Sequence, residues 1–126
     1  MGRNQRIGNL GESLAQSYLR RAGFEIVAVN WHSRWGELDL VAREKGQWVF
    51  VEVKARTNNR FGQPEDSLTW KKKQRLIKTA WAFMSQHKLV DDAWRFDVLA
   101  LQISPQGQLL NLEHYRNAFG AESDWL

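Results

Sequence analysis

An α/β fold is what this sequence predicts: a mixed central β-sheet flanked by helices, in the order α-β-β-β-α-β-β. Two stretches show the three-to-four-residue apolar spacing of amphipathic helices, five runs are rich in β-branched and aromatic residues, and glycine-bearing turns punctuate them. A helix, three strands, a second helix and two more strands suit a sheet with helices packed against it. With 126 residues, the chain is expected to form a single domain, because single cores commonly form at roughly 100 to 150 residues. Residues 1–7 are expected to be a flexible N-terminus.

The first element is a helix over residues 10–22. Leu10, Leu14, Tyr18 and Ala22 recur every four residues, Ala15 and Leu19 widen the stripe, Asn9 stands as N-cap and Gly23 closes the turn. Phe24 to Asn30, rich in Ile and Val, follows as a first strand. Leu38 to Arg43 and Gln47 to Ala55 are two further β-type runs around Lys45-Gly46, a tight hairpin turn in which glycine tolerates positive φ. From Thr69 to His87 a second helix is expected. Trp70, Ile77, Ala80, Trp81 and Met84 mark one face of it, and Lys71, Lys72, Arg75 and Lys78 lie mostly away from that face. Trp94 to Ile103 and Leu109 to Tyr115 close the chain as two strands around the Pro105-Gln106-Gly107 turn.

Composition narrows the chemistry. Apolar residues make up 43% of the chain, with seven Trp and six Phe, so material for a core is ample, while 25% charged residues provide a solvated surface. There is no cysteine, which removes disulfides, thiolate nucleophiles and cysteine-ligated zinc and leaves hard-metal, oxygen-ligand sites open. No apolar stretch has the length of a signal peptide or a membrane span, so a cytoplasmic protein with no membrane partner is expected. The net charge of +4 favours a polyanionic partner without establishing one.

The stretch richest in chemistry is the hairpin. Side chains alternate along a strand, so Glu37 and Asp39 share one face of theirs, and Trp48, Phe50, Glu52 and Lys54 share one face of the next. If Lys45 and Gly46 are the central turn residues, Glu44 pairs with Gln47. That register sets Asp39 opposite Glu52, and Glu37 opposite Lys54. Directly opposed carboxylates repel and call for a cation. Mg²⁺ or Mn²⁺ suits the pair, since magnesium takes one or two carboxylates and keeps water or substrate phosphate in its other positions. Lys54 lies about 6.6 Å from Glu52 along the strand, close enough to act on water or phosphate. The competing reading is an ordinary sheet face on which Glu37 pairs with Lys54 and Asp39 meets an arginine. Trp48 and Phe50 on the same face argue that this face is covered, where charges must be paired or bind something.

Gly36-Glu37-Leu38-Asp39-Leu40 followed by Phe50-Val51-Glu52-Val53-Lys54 resembles the PD-(D/E)XK nuclease core, with Leu38 where the name-giving Pro would stand. Together with Gly11-Glu12, Phe50 to Arg56, Arg95-Phe96-Asp97-Val98 and Asn117-Ala118-Phe119, these segments look like the YraN family of bacterial proteins, over nearly the whole chain. The resemblance implies a restriction endonuclease-like fold related to archaeal Holliday junction resolvases. It implies metal binding by Asp39 and Glu52, water or phosphate handling by Lys54, and a further acidic contribution from Glu12. The expected activity is metal-dependent hydrolysis of DNA phosphodiester bonds, with selectivity for branched or junction DNA. The alternative is a nuclease-fold DNA-binding or DNA-processing partner that does not cut efficiently.

Several residues admit two readings. Glu12 follows Asn9 by three residues, as in a capping box, yet it also stands at the edge of the apolar stripe, from which it could reach the sheet. Glu37 is expected to support the ligands rather than bind metal, and Asp97 to be a structural carboxylate bonded to Arg95 or backbone. His32, His87 and His114 show no metal-motif spacing. Arg56, Arg60, Lys71, Lys72, Lys73, Arg75 and Lys78 form a basic set beside the E-X-K strand, suited to DNA phosphates or to a plain solvated face. The Thr57 to Asp66 loop could close on a substrate. Trp31, Trp35, Trp70 and Trp125 exceed what so small a core needs, which fits a homodimer interface.

Overall fold

The computed structural model describes residues 3–57 and 68–119. Its elements are α1 (Arg3–Arg21), β1 (Glu25–Ser33), β2 (Gly36–Glu44), β3 (Gln47–Arg56), α2 (Trp70–Gln86), β4 (Trp94–Ile103) and β5 (Leu109–Phe119). The sheet runs in chain order, β1-β2-β3-β4-β5. All neighbours are antiparallel except β3 and β4, whose parallel pairing requires the crossover that α2 provides. Arg60, the rest of the polar loop after Thr57, and Trp125 lie outside the described residues.

The sheet separates two apolar layers. On the α2 side, Leu38, Val41, Trp48, Phe50, Phe96 and Val98 pack with Leu76, Ile77, Ala80, Phe83 and Met84. On the α1 side, Leu40, Ala42, Val49, Val51, Leu99, Leu101 and Ile103 pack with Ala15 and Leu19. β3 and β4 are covered on both faces, which is why their sequences are apolar at nearly every position.

Three boundaries differ from expectation. Helix α1 begins at Arg3, so residues 3–7, assigned from sequence to a flexible N-terminus, are its first turns, and Asn9 is interior rather than a cap. The apolar stripe weakens there, and Gly8 disfavours the helix, but no proline stands among Arg3 to Asn9 to end it. The capping-box reading of Glu12 falls with that cap. Strand β1 continues to Ser33 and β5 to Phe119. In α2, capped by Thr69 through its hydroxyl to the Lys72 amide, Trp70 and Trp81 are not on the buried face: they are 59% and 41% exposed, and Leu76, Thr79 and Phe83 complete the core stripe instead. Trp31 packs edge-on against Phe83 at 5.3 Å between ring centroids, so it belongs to the core's rim.

Gly11 sets the depth of α1 against the sheet. A Cβ at that position would lie 2.6 Å from the Cβ of Ala55 on β3, closer than carbon atoms can approach, so only glycine lets the helix rest where it does.

Candidate functional site

The hairpin register is the expected one, Glu44 opposite Gln47 through to Leu40 opposite Val51. There the ladder ends. One residue further on, the Asp39 carboxylate turns into the space between the strands and accepts the Val53 amide hydrogen at 2.9 Å through Oδ2. A side chain thus takes a donor that a backbone carbonyl would otherwise take, and β2 splays away from β3. On its other side, Asp39 faces Asn30, which has φ +50° and interrupts the β1–β2 pairing between Val29/Leu40 and Trp31/Leu38.

The splay opens a cavity of about 520 Å³ whose lining includes Glu37, Asp39, Glu52, Lys54, Lys72 and Arg75. Glu52 and Lys54 continue the face that carries Trp48 and Phe50, toward α2. Asp39 and Lys54 also line a second hollow of about 290 Å³ with Glu12 and Arg56. Asp39 therefore stands between two openings rather than on one sheet face. The register that would oppose Asp39 to Glu52 and Glu37 to Lys54 is not formed: Asp39 bonds the Val53 amide instead, and Glu37 pairs across to His32 on β1 at 3.2 Å and shares only the cavity wall with Lys54.

Electrostatics are strained. Glu52 is 5% exposed, and burial, followed by the adjacent Asp39 charge, pushes its carboxyl up to about 8 against the pull of Lys54 and Lys72. Burial also raises Asp39, opposed by the Val53 amide and by Lys54. Lys54 is lowered to about 8, first by burial and then by its hydrogen bond with Lys72 and that residue's charge. Glu12 is raised by burial and by the charges of Asp39 and Glu37, while a bond to Asn30 holds it down. Its Oε1 is buried with no hydrogen-bond partner among the described residues.

Of the basic set, Lys72 and Arg75 line the larger cavity, Arg56 the smaller one, and Lys73 sits over Phe119 with its Nζ 5.6 Å from the ring centroid. Lys78 lies on Trp35, and Lys71 is exposed. His32, assigned no role from sequence, lines the larger cavity. Asn30 and Thr79 also escaped the sequence reading. Asn30's left-handed backbone and Thr79's bond to the Arg75 carbonyl at 2.7 Å leave no local sequence signal.

A second charged cluster lies on the α1 side of the sheet, where Asp97 of β4 pairs with Val51 of β3, the residue before Glu52. Asp97 is wholly buried. Its Oδ1 accepts from Arg95 Nε at 2.8 Å and the Asn117 amide at 2.9 Å, and its Oδ2 meets His114 Nε2 at 2.7 Å. Burial would raise this carboxyl, but those three partners outweigh it and hold it below its usual value. Arg95 continues to Glu44 at 2.9 Å and Gln47 at 2.7 Å, and Arg116 forks onto Glu44. The expected structural bond from Arg95 to Asp97 is present; Glu44, His114 and Arg116 complete it from distant parts of the chain.

The model of uncharacterised protein family UPF0102 matches residues 11–101. The chain belongs to this family. UPF0102 is the YraN family that the sequence motifs resemble. UPF0102 proteins of Pelotomaculum thermopropionicum and Roseiflexus castenholzii are each 40% identical to it, over 90% of this chain and 94% and 92% of theirs. One from Geobacter metallireducens is 40% identical over 92% of this chain and 93% of its own. The UPF0102 match contains Glu12, Asp39, Glu52, Lys54 and Asp97, whereas Arg116 and Asn117 lie beyond it. Among the described residues no helix is long and apolar enough to cross a membrane.

The donor set suits a hard divalent cation. Asp39 and Glu52 offer adjacent carboxylate oxygens, close enough to share a hydrogen bond, and Glu12 adds a buried carboxylate oxygen without a hydrogen-bond partner among the described residues. Among the described residues no three His, Cys, Asp or Glu side chains are gathered tightly enough to form a ready-made cage. Magnesium does not require one, because it binds through one or two carboxylates and fills its shell with water.

Proposed function

We propose that this UPF0102 protein is a divalent-metal-dependent endonuclease acting on DNA, branched DNA included. The observation that carries the reading is the Asp39–Glu52 pair beside Lys54, with Glu52 buried and Asp39 half-buried. Two adjacent carboxylates withdrawn from water are costly unless a cation joins them, and a protein with no use for that cation gains nothing by burying them. Asp39 and Glu52 would hold Mg²⁺ or Mn²⁺, which supplies charge neutralisation at a phosphodiester and acidifies bound water.

The chain's own groups then divide the work. The Val53 amide fixes the Asp39 carboxylate, so its second oxygen is directed without a rotamer search. Lys54, with a pKa near 8, exists partly as a neutral amine at mildly alkaline pH and can accept a proton from the attacking water; in its charged form it stabilises the phosphate. Lys72, bonded to Lys54, keeps that pKa low and presents a second cation to the phosphate. Glu37 and its partner His32 form the cavity's rim.

The second reading, a DNA-binding partner that does not cut, draws on the cations Lys72 and Arg75 that line the larger cavity. One assay separates the two. Linear, flapped and four-way DNA are incubated with Mg²⁺ or Mn²⁺ and the wild type, Asp39→Asn, Glu52→Gln or Lys54→Ala. Asp39→Asn and Glu52→Gln should lose metal affinity by calorimetry and all cleavage while keeping the wild-type fold. Lys54→Ala should keep metal and lose roughly 10²-fold or more in rate. Equal residual cutting by all four proteins would mark the activity as a contaminant and establish the non-catalytic reading.

A further inference from the structure

The larger cavity does not end at the carboxylates. Past Lys72 and Arg75 it is walled by the β1–β2 turn, with His32, Ser33 and Gly36 on one side and Thr79 of α2 on the other. At the tip of that turn stands Trp35, 43% exposed. It is an unusual exposed aromatic because its position is fixed. Its backbone N–H donates to Ser33 Oγ at 3.0 Å. The next residue, Gly36, lies so near α2 that a Cβ there would meet Thr79 Oγ1 at 3.2 Å and the Arg75 side chain at 3.4 Å. Gly36 has φ +148°, so the turn closes onto the helix by a route that other residues rarely adopt. Two cations hold the indole: the Arg34 guanidinium carbon is 4.7 Å from the ring centroid and Lys78 Nζ 5.5 Å.

A rigid, half-exposed indole flanked by cations, continuous with a row of Lys72, Arg75 and Lys78, has the chemistry of a single-strand binding site. A base stacks on the part of the aromatic face that Arg34 and Lys78 leave exposed, and Lys72 and Arg75 follow the phosphates. Lys72 and Lys78 are about 9 Å apart along the helix axis, so a strand whose phosphate lies between Lys72 and Arg75 brings a neighbouring base to Trp35. Paired bases are already stacked within the duplex and cannot present a face to the indole. We propose that Trp35 is a stacking platform for an unpaired base beside the phosphodiester to be cut, so that the substrate is DNA carrying a flap or gap rather than a fully paired duplex or four-way junction. This deepens the nuclease reading and rests on it.

The test uses the full chain with Ca²⁺ in place of Mg²⁺, so that binding is read without cutting. The probes are a flapped duplex with 2-aminopurine at the first unpaired position, the same duplex fully paired, and a four-way junction. The wild type should bind the flap more tightly than either paired form and quench the 2-aminopurine. Trp35→Leu should lose about tenfold or more of the flap affinity, bringing it to the level of the paired duplex, and abolish the quench. Trp35→Phe, which keeps an aromatic face, should retain most of both. Absence of quenching in the wild type overturns the proposal whatever the variants do, and so does Trp35→Leu that weakens all three probes equally or none. These results leave the nuclease reading standing if the wild type still cuts DNA in Mg²⁺. A wild type that neither binds nor cuts any of the three removes both.

Discussion

Glu52 holds a proton that an exposed glutamate would have lost, and this has a sign that can be worked out. Its folded pKa is raised from 4.5 to about 8. Below about 4.5 both folded and unfolded states are protonated, and Glu52 contributes no penalty. Between about 4.5 and 8 the unfolded state has released the proton and the folded state has not, so stability falls as pH rises, with the full penalty present above about 8. The raised carboxyls of Asp39 and Glu12 act in the same direction. Lys54, lowered from 10.5 to about 8, acts elsewhere: its penalty is complete below about 8 and relieved between there and 10.5. We therefore expect Glu52→Gln, melted in EDTA across pH 5 to 8, to lose less stability with rising pH than the wild type and to be the more stable of the two at pH 8. Saturating Mg²⁺ should reverse that order, since only the wild type has the full ligand pair. Parallel pH profiles for the two proteins in EDTA would contradict the assignment of a shared, buried proton.

Elements bring these residues together, and they differ in how plainly the sequence declared them. The Lys45-Gly46 hairpin was legible because register there is local: one turn fixes every pair from Glu44/Gln47 to Leu40/Val51. The end of that ladder was not legible. The splay at Asp39 depends on Asn30 in another strand and on a side chain taking a backbone donor, and neither has a spacing signal. The Asp97 cluster shows the same division. Arg95 is two residues away and was expected, whereas Glu44 is reached by Arg95 across 51 residues of chain and by Arg116 across 72. The start of α1 was missed because its first turns contribute little to the apolar stripe that signals a helix. Its placement on the sheet, however, rests on one residue that can be tested. Gly11→Ala would put two methyl carbons 2.6 Å apart. Overpacking of that kind costs about 1–3 kcal/mol, against a helix-propensity gain of up to about 1 kcal/mol, so denaturant melts should show a net loss. Adding Ala55→Gly should recover part of it, giving a coupling energy that independent sites would lack. If the helix carries Glu12 to the metal, Gly11→Ala should also weaken Mg²⁺ binding.

Across the whole molecule the charges are sorted rather than scattered. On the α1 side of the sheet, Asp97 and Glu44 are neutralised internally by Arg95 and Arg116, and that cluster ties β4 and β5 to the hairpin. Around the cavities Lys54, Arg56, Lys72 and Arg75 match Glu12, Glu37, Asp39 and Glu52 in number, and Lys71 and Lys78 stand exposed on α2 besides. The chain's surplus of +4 thus includes two exposed lysines of α2 where a phosphate backbone would approach the carboxylates. Binding driven by such a surface proceeds by release of counterions from DNA, so its affinity must fall with salt along a straight line in log-log coordinates. Each phosphate contact removed should reduce the slope by about one unit. We expect Lys71→Gln and Lys78→Gln each to flatten the line by about that amount for flapped DNA in Ca²⁺, measured by fluorescence anisotropy over a salt series. Asp39→Asn should behave differently: it removes an acid rather than a cation, so the slope should be at least as steep as that of the wild type even though cleavage is gone. That contrast separates the two tasks of the surface, holding the backbone and acting on it. An affinity that does not change with salt, or a slope that the lysine substitutions leave untouched, would mean that DNA does not lie along α2.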